Sequence, residues 1–191
     1  MKKGVVNDGG VQGLQPWHKN SQPVIHSALK AIRSMLPGEQ SMGVEFGFER
    51  ILSEPLCLPR VIWDGSSERL PFPDAHLDFI LLCNCTSPLN DVTGIFTEAF
   101  RVLKKNGVLI VAFLDRNTPA GDVCAIPSDN EGVPNTEKVL FQLSHSGFNH
   151  FELVQTLFSD PERISEVQEP RHGYGEGSFV VVRADKCKKR E

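Results

Sequence analysis

Residues 70–116 constrain what this chain can fold into more than any other segment. They contain a nearly continuous apolar run, 77–83, which is typical of a strand buried on both faces of a parallel sheet. Apolar residues at helical spacing follow, and 104–107 places two lysines and an Asn-Gly pair where a helix would end. Residues 108–114 are again apolar throughout. Strand, helix, turn and strand in this order predict a parallel α/β sheet.

The flanking segments predict further strands and helices. Ser21 and Pro23 provide a cap and a first-turn proline for a helix, and Thr136 is the expected cap of a later helix that ends at Gly147. The other expected strands are 42–47, 60–63, 151–158 and 178–183. Residues 115–135 are rich in Pro, Gly, Asn and Asp and predict a long loop. The alternation predicts a three-layer α/β domain, whose last two strands need not be parallel to the others.

Length and charge limit the domain organisation and the partners. A chain of 191 residues predicts one domain, with a loosely held segment at 1–20, the domain at 21–185 and a solvated basic tail at 186–191. The net charge of −4 gives no electrostatic reason to expect nucleic acid or an anionic membrane as a partner. No apolar run is long enough to span a bilayer, and five cysteines without a regular framework favour a reducing, cytoplasmic location.

Two stretches resemble the methyltransferase type 11 group of the class I S-adenosylmethionine-dependent methyltransferases. Residues 68–79 read ERLPFPDAHLDF, which is similar to that group's connection between its third and fourth strands. Residues 100–110 read FRVLKKNGVLI, which is similar to its helix and fifth strand, and 143–148 is similar to the entry of its sixth strand. The resemblance extends from Asn20 to Arg183. It implies a three-layer Rossmann-like sheet, mostly parallel with a C-terminal antiparallel hairpin, and S-adenosylmethionine as the cofactor.

The first motif of that group is an acidic residue followed by glycines at alternating positions, and it corresponds to EFGFERI at 45–51. Glu45 and Gly47 match it, so the resemblance implies that both bind the cofactor. Glu49 and Ile51 stand where two further glycines are expected. Glycines at such positions let the backbone approach a cofactor closely. The sequence therefore predicts a degenerate first motif.

Two alignments are open for the segment that follows. In one, Asp64 corresponds to the acid that binds the cofactor ribose at the end of the second strand. In the other, which continues without a gap into Leu70 and is slightly preferred, the same segment ends the third strand, and Ser66 lies near the adenine amine. Both cannot hold in a complete domain, so the sheet is predicted to be shortened by one strand–helix unit. Cys83, at the end of the next strand, is a further candidate for cofactor binding.

No side chain is assigned a catalytic role, because the sulfonium is intrinsically reactive and the protein mainly aligns the reacting groups. The polar candidates near expected strand ends are His76, Asn84, Asp115 and Tyr174. Cys83 and Cys85 form no metal site with His76, since a second ligand pair is missing. Residues 173–177, GYGEG, predict a hairpin turn rather than a phosphate loop, because a strand and not a helix follows them.

The leading functional hypothesis is S-adenosylmethionine-dependent methyl transfer to a small-molecule or protein acceptor. The alternative is a methyltransferase-like protein, impaired in catalysis, that acts as a binding or regulatory partner; its motivation is the glycine-poor first motif. A Rossmann-like binder of another nucleotide is a third reading. Loss of one strand–helix unit would uncover apolar sheet surface, which predicts a homodimer or a partner protein that covers it.

Overall fold

The computed structural model describes residues 22–38, 40–46, 60–61, 69–83, 93–115, 117–118 and 135–186. The described helices are α1 (Gln22–Met35), α2 (Thr93–Val102) and α3 (Thr136–His145). The described strands are β1 (Gly43–Phe46), β2 (Arg60–Val61), β3 (Leu77–Cys83), β4 (Leu103–Leu114), β5 (Asn149–Thr156), β6 (Arg171–His172) and β7 (Phe179–Asp185). The longest of these helices has 14 residues, and none has the length and apolar character that a membrane crossing requires.

All seven described strands belong to one sheet with the order β2-β1-β3-β4-β7-β5-β6. Strands β2, β1, β3 and β4 run parallel to their neighbours. Strand β7 is antiparallel to both β4 and β5, and it lies between them. These pairings confirm the predicted sheet, which is parallel in its first half and ends in an antiparallel pair.

Each face of the sheet is covered by helices. On β4, Leu109, Val111 and Phe113 face α2 and α3, whereas Ile110 and Ala112 face α1. All five side chains are fully buried. Alternate residues of one strand therefore enter two separate cores, which explains why the strand is apolar at nearly every position.

Strand β4 begins earlier than the sequence predicts, because it contains a bulge. Leu103 already pairs with Leu77, and the register then shifts so that Val108 pairs with Phe79. Asn106 has a φ of 76° inside this bulge, so the Asn-Gly pair bends the strand rather than ending the helix. The Asn106 amide donates to the carbonyl oxygen of Lys186 at 3.1 Å, so the chain pairs with the domain as far as Lys186.

The cap of α3 is Asn135, and the prediction that Thr136 would cap it is wrong. The Asn135 side chain accepts a hydrogen bond from the Lys138 amide at 2.8 Å. Thr136 is the first helical residue, and its hydroxyl donates a hydrogen bond to the carboxylate of Asp115. Gly147, with a φ of 98°, follows the helix as predicted.

Arg101 joins the two stretches on which the resemblance rests. Its guanidinium donates to both carboxylate oxygens of Glu98, at 2.9 and 2.7 Å, and to Asp74 at 2.6 Å. It also donates to the carbonyl oxygens of Phe72 and Leu70, at 3.0 and 3.3 Å. The Arg101 side chain thus fastens the segment that leads into β3 onto α2. Hydrogen bonds from Arg101 lower the pKa of Glu98, and the carboxylates of Glu98 and Asp74 raise the pKa of Arg101.

Gly43 allows β1 to pack directly on an aromatic ring. A Cβ atom added at this position would lie 2.2 Å from Cε1 and Cζ of Phe79, whose ring is buried on the neighbouring strand. We expect Gly43→Ala to lower the free energy of unfolding by about 1–3 kcal/mol, because the ring cannot move without disturbing the core. Urea denaturation measures the change.

Gly94→Ala is the matched control for that substitution. Gly94 is exposed on α2 and has no atom within 4 Å of an added Cβ, and alanine is the better helix former. Its unfolding free energy should stay constant or rise. Equal denaturation midpoints for the two variants would show that the contact with Phe79 does not constrain β1.

Candidate functional site

The carboxyl ends of the parallel strands define one edge of the sheet, which we call the carboxyl edge. Strands β1, β2, β3 and β4 end there at Phe46, Val61, Cys83 and Leu114. Strand β5 ends at the same edge, because its last residue pairs with the first residue of β7, which in turn pairs with Leu114. Ligands of open α/β sheets bind beyond this edge.

Glu45 and Cys83 lie on adjacent strands at the carboxyl edge. Glu45 pairs with Leu81, two residues before Cys83. Cys83 belongs to the core on the α1 face, while Val44 and Phe46 belong to the opposite core, so Glu45 also lies on the α1 side of the sheet. Adjacent strands are about 4.8 Å apart and two residues of a strand span about 6.6 Å, so the two Cα atoms are separated by about 8 Å. The structure therefore places both predicted site residues on one side of the sheet near its carboxyl edge.

The other predicted cofactor residues, Gly47, Asp64 and Ser66, lie outside the described residues, as do Asn84 and Cys85. Of the strand expected at 60–63, residues 60 and 61 are described. This strand, β2, pairs in parallel with β1, and Val61 lies opposite Phe46. Among the described strands, none lies beyond β2 on that side of the sheet.

His76 lies at the amino ends of the parallel strands, opposite the carboxyl edge. Its selection as a polar candidate near the ligand-binding strand ends was therefore wrong. It precedes β3, its amide donates to the carbonyl oxygen of Val102, and its ring stacks on Phe72 with centroids 6.3 Å apart. Cys83 is seven residues further along an extended strand, about 23 Å away. Within the part of the chain that the structure describes, no three potential metal ligands cluster together.

Asp115 follows β4 at the carboxyl edge, but its carboxylate is turned into the protein. The residue is 1% exposed. Its Oδ2 accepts a hydrogen bond from the hydroxyl of Thr136 at 2.5 Å, and its Oδ1 accepts one from the amide of Asn117 at 3.0 Å. Its carbonyl oxygen accepts a further bond from the hydroxyl of Thr118. Asp115 therefore ties the end of β4 to the start of α3, and it is not free to contact a substrate.

Residues 173–177 cross over β5, because the strands that flank them, β6 and β7, lie on opposite sides of β5. The prediction that residues 173–177 form a hairpin turn is therefore wrong. The amides of Glu176 and Gly177 donate to Oε1 of the buried Gln155 at 2.9 and 2.8 Å, so they are not available to an anion. Tyr174 is 42% exposed on this crossing.

Gln155 is a residue that the sequence reasoning missed. In the sequence, the feature that could have indicated its role was a polar residue within the predicted strand 151–158, followed along the chain by the glycine-rich residues 173–177. A Cβ atom on Gly177 would lie 2.5 Å from the carbonyl oxygen of Thr156, so the crossing segment also needs glycine at its closest approach to β5.

Arg171, Phe158 and Glu176 form a cluster where β5 and β6 meet the carboxyl edge. The guanidinium of Arg171 lies 4.3 Å from the centroid of the Phe158 ring. Its Nη1 is 3.9 Å from a carboxylate oxygen of Glu176, and both of these side chains are mostly exposed. The amide of Phe158 donates to Oε1 of Gln168 at 2.9 Å, and the Gln168 amide donates to the hydroxyl of Ser27 on α1 at 2.8 Å. Phe158 is thus tied to α1 through one glutamine.

Comparisons with known proteins agree with this architecture. The methyltransferase domain family matches residues 31–111. A crystal structure from Thermotoga maritima, an S-adenosylmethionine-dependent methyltransferase described as a possible histamine N-methyltransferase, is 30% identical in sequence. The alignment covers 85% of this chain and 92% of that chain, with a TM-score of 0.72. The chain belongs to the S-adenosylmethionine-dependent methyltransferases.

Other relatives are more distant. An uncharacterized protein of Methanocaldococcus jannaschii is 24% identical over 205 residues, which cover 95% of this chain and 98% of that protein. This chain spans 54% of the length of its uncharacterized relatives in Mycobacterium bovis and Mycobacterium tuberculosis, to which it is 26% identical over 156 residues. A methyltransferase of Haloferax volcanii, solved with the Trm112 methyltransferase activator, shares the fold at 11% identity, with a TM-score of 0.55 over 85% of this chain and 90% of that chain.

Proposed function

We propose that the chain binds S-adenosylmethionine at the carboxyl edge beside β1 and transfers its methyl group to an acceptor that lies towards β4 and β7. The observation that carries the proposal is the parallel run β2-β1-β3-β4, which places Glu45 and Cys83 on neighbouring strands at the ligand-binding edge. Both positions correspond to the cofactor side of the family's sheet. The predicted cofactor residues remain Glu45, Gly47, Asp64, Ser66 and Cys83.

The pairing of β2 supports a role for Asp64 in binding the cofactor ribose. A strand hydrogen-bonded directly to β1 occupies the place of a second strand, and Asp64 is three residues beyond its described end. Gly47 directly follows Phe46, so a glycine stands where the chain leaves β1 at the carboxyl edge. Ser66 then remains the candidate for contact with the adenine amine only in the alternative alignment.

The chain's own contribution to the reaction is alignment. When bound, S-adenosylmethionine supplies a methyl carbon that a lone pair of the acceptor attacks, while the electron pair of the broken carbon–sulfur bond stays on sulfur. Such a transfer needs the acceptor atom and the methyl carbon in line and the site closed to water, and it needs no nucleophilic side chain. Asp115 contributes by holding the end of β4 and the start of α3 in one place.

Titration calorimetry with S-adenosylmethionine and S-adenosylhomocysteine tests the proposal directly. We expect both to bind with dissociation constants below about 100 μM, which corresponds to a binding free energy near 5–6 kcal/mol or stronger. An absence of binding heat at that protein concentration would remove the proposed function.

Gly47→Val should abolish cofactor binding, since a branched side chain would occupy the space where the backbone approaches the cofactor. The expected loss of affinity is at least about tenfold, or 1.4 kcal/mol. Gly38→Val is the matched control, because an added Cβ at Gly38 meets no atom within 4 Å. Both variants should retain the circular dichroism of the folded protein. Unchanged affinity in the Gly47 variant would place Gly47 away from the cofactor.

The cytoplasmic location and the predicted homodimer or protein partner stay proposals. Light scattering of the purified chain distinguishes a monomer from a dimer.

A further inference from the structure

Arg171 lies where β5 meets the carboxyl edge, beyond the strands expected to hold the cofactor. It pairs with Gln155, the penultimate residue of β5. Arg171 is on β6, and in the order β1-β3-β4-β7-β5-β6 five strand spacings of about 4.8 Å separate β1 from β6, which gives about 24 Å. A cofactor that sits over the ends of β1 and β3 therefore leaves the region around Arg171 to the acceptor.

The guanidinium of Arg171 is held in place by stacking, while its N–H groups make no hydrogen bond to another described residue. One face lies on the Phe158 ring at 4.3 Å, and the Phe158 backbone is fixed through Gln168 to α1. The nearest carboxylate, that of Glu176, is 3.9 Å away, which is beyond hydrogen-bond distance. Among the described residues, Arg171 donates no side-chain hydrogen bond. A stacked guanidinium with free donor edges is suited to a planar carboxylate or to a phosphate group.

The acidic side chains near Arg171 mean that an anionic ligand would be bound by direct contact with the guanidinium and not attracted from a distance. Asp160, Glu162 and Glu166 are exposed in the segment that leads to Arg171. Their field opposes the approach of an anion, so an anionic group gains only from direct hydrogen bonds with the guanidinium. Glu176 competes for the same guanidinium. Its removal should therefore help an anionic acceptor.

We propose that Arg171 is a specificity-determining residue of the methyltransferase, and that the methyl acceptor carries an anionic group, a carboxylate or a phosphate, which binds the guanidinium stacked on Phe158. The inference rests on the proposed function, since it names the acceptor class for that reaction.

The test uses the full chain, S-adenosylmethionine with a tritiated methyl group, and a protein-free small-molecule extract of the source cells as the acceptor probe. We expect the wild type to label a product that an anion-exchange resin retains. Arg171→Gln should raise the extract concentration needed for half-maximal labelling about tenfold, because one charge-assisted contact is lost. Glu176→Gln should leave this concentration unchanged or lower it.

Matched controls separate recognition from folding and from cofactor binding. Arg163→Gln removes an exposed arginine of the same segment and should label like the wild type. Calorimetry should give the same affinity for S-adenosylhomocysteine in every variant. Tyr174 is the chain's only tyrosine, so protein labelled with 3-fluorotyrosine gives one fluorine resonance three residues from Arg171. The active extract fraction should shift this resonance in the wild type and not in Arg171→Gln.

The labelling and binding results distinguish failure of this inference from failure of the proposed function. Equal labelling by the wild type and Arg171→Gln overturns the inference, and so does a labelled product that the resin does not retain. Cofactor binding by the wild type without any labelled small molecule also overturns it. A wild type that fails to bind the cofactor refutes the proposed function itself. If phosphatase treatment of the extract abolishes labelling, the anionic group is a phosphate; if labelling persists, it is a carboxylate.

Discussion

Replacing Arg101 with methionine is expected to lower the free energy of unfolding by about 3 kcal/mol. Methionine keeps much of the side-chain volume but removes every hydrogen bond that the guanidinium makes to Glu98, Asp74, Phe72 and Leu70. The Glu98 carboxylate, only 14% exposed, would lose its cation, and removal of one partner of a mostly buried pair is costly. Urea denaturation at neutral pH measures the loss.

A double-mutant cycle isolates the Arg101–Glu98 interaction. Glu98→Gln alone should cost less than Arg101→Met, and the double variant should cost less than the sum, by about 1 kcal/mol or more. The exposed ion pair between Lys30 and Glu169 is the matched control, and Glu169→Gln should cost less than about 0.5 kcal/mol. If Arg101→Met costs no more than Glu169→Gln, Arg101 does not fasten the segment that leads into β3.

The same pair predicts a pH dependence with a definite sign. The hydrogen bonds from Arg101 hold the pKa of Glu98 below its usual 4.5 in the folded protein. A carboxyl group whose folded pKa is depressed stabilises the fold fully above its unfolded pKa and loses this contribution as the pH falls through the folded pKa. The stability difference between wild type and Glu98→Gln should therefore be constant above pH 4.5 and shrink below it.

The second large effect is expected for Asp115→Ala, which should lower the free energy of unfolding by about 2–4 kcal/mol. The substitution leaves the buried hydroxyl of Thr136 without its acceptor, which costs about 1–3 kcal/mol. It also removes the hydrogen bond from the amide of Asn117, an exposed residue whose amide can bind water instead. It also removes a negative charge from the N-terminus of α3, where the helix dipole favours one. Thermal and urea denaturation both report the loss.

Two further variants control for that result. Asp160→Ala removes a carboxylate that also accepts a backbone amide, from Glu162, but in an exposed turn, and should cost less than about 1 kcal/mol. Thr136→Val keeps the shape of the side chain and removes only the donor to Asp115, so an intermediate cost is expected. A loss in Asp115→Ala no greater than that in Asp160→Ala would contradict the role given to this buried contact.

The sequence was sufficient to predict strands and helices wherever apolar periodicity determines them. Strand β3 matches its predicted range, and β4 and β7 differ only at their ends. The early start of β4 could not be predicted, because the pairing of Leu103 with Leu77 depends on a tertiary register shift around Asn106. The cap of α3 was misplaced by one residue, because Thr136 and Asn135 are both good caps. In the folded protein the hydroxyl of Thr136 donates to Asp115, and the side chain of Asn135 caps the helix instead.

The site was less predictable than the fold, because sequence does not tell which way a side chain points. Asp115 and His76 both stand beside strand ends in the sequence. One is buried against α3, and the other lies at the edge opposite the ligand. Arg171 carried no motif at all, since its significance comes from Phe158 and Glu176 being brought beside it by the fold. The motifs around Arg101 proved informative because they encode a scaffold contact between two segments.

The position of β7 has a consequence for how the protein is made. This strand is the last of the described strands to be synthesised, yet it lies between β4 and β5 and pairs with both along its whole length. Until β7 has left the ribosome, β4 and β5 each present an unpaired edge, and the apolar faces on either side of the gap stay open to solvent. Folding of this domain is therefore expected to finish after translation of residue 185, with the nascent chain dependent on chaperones until then.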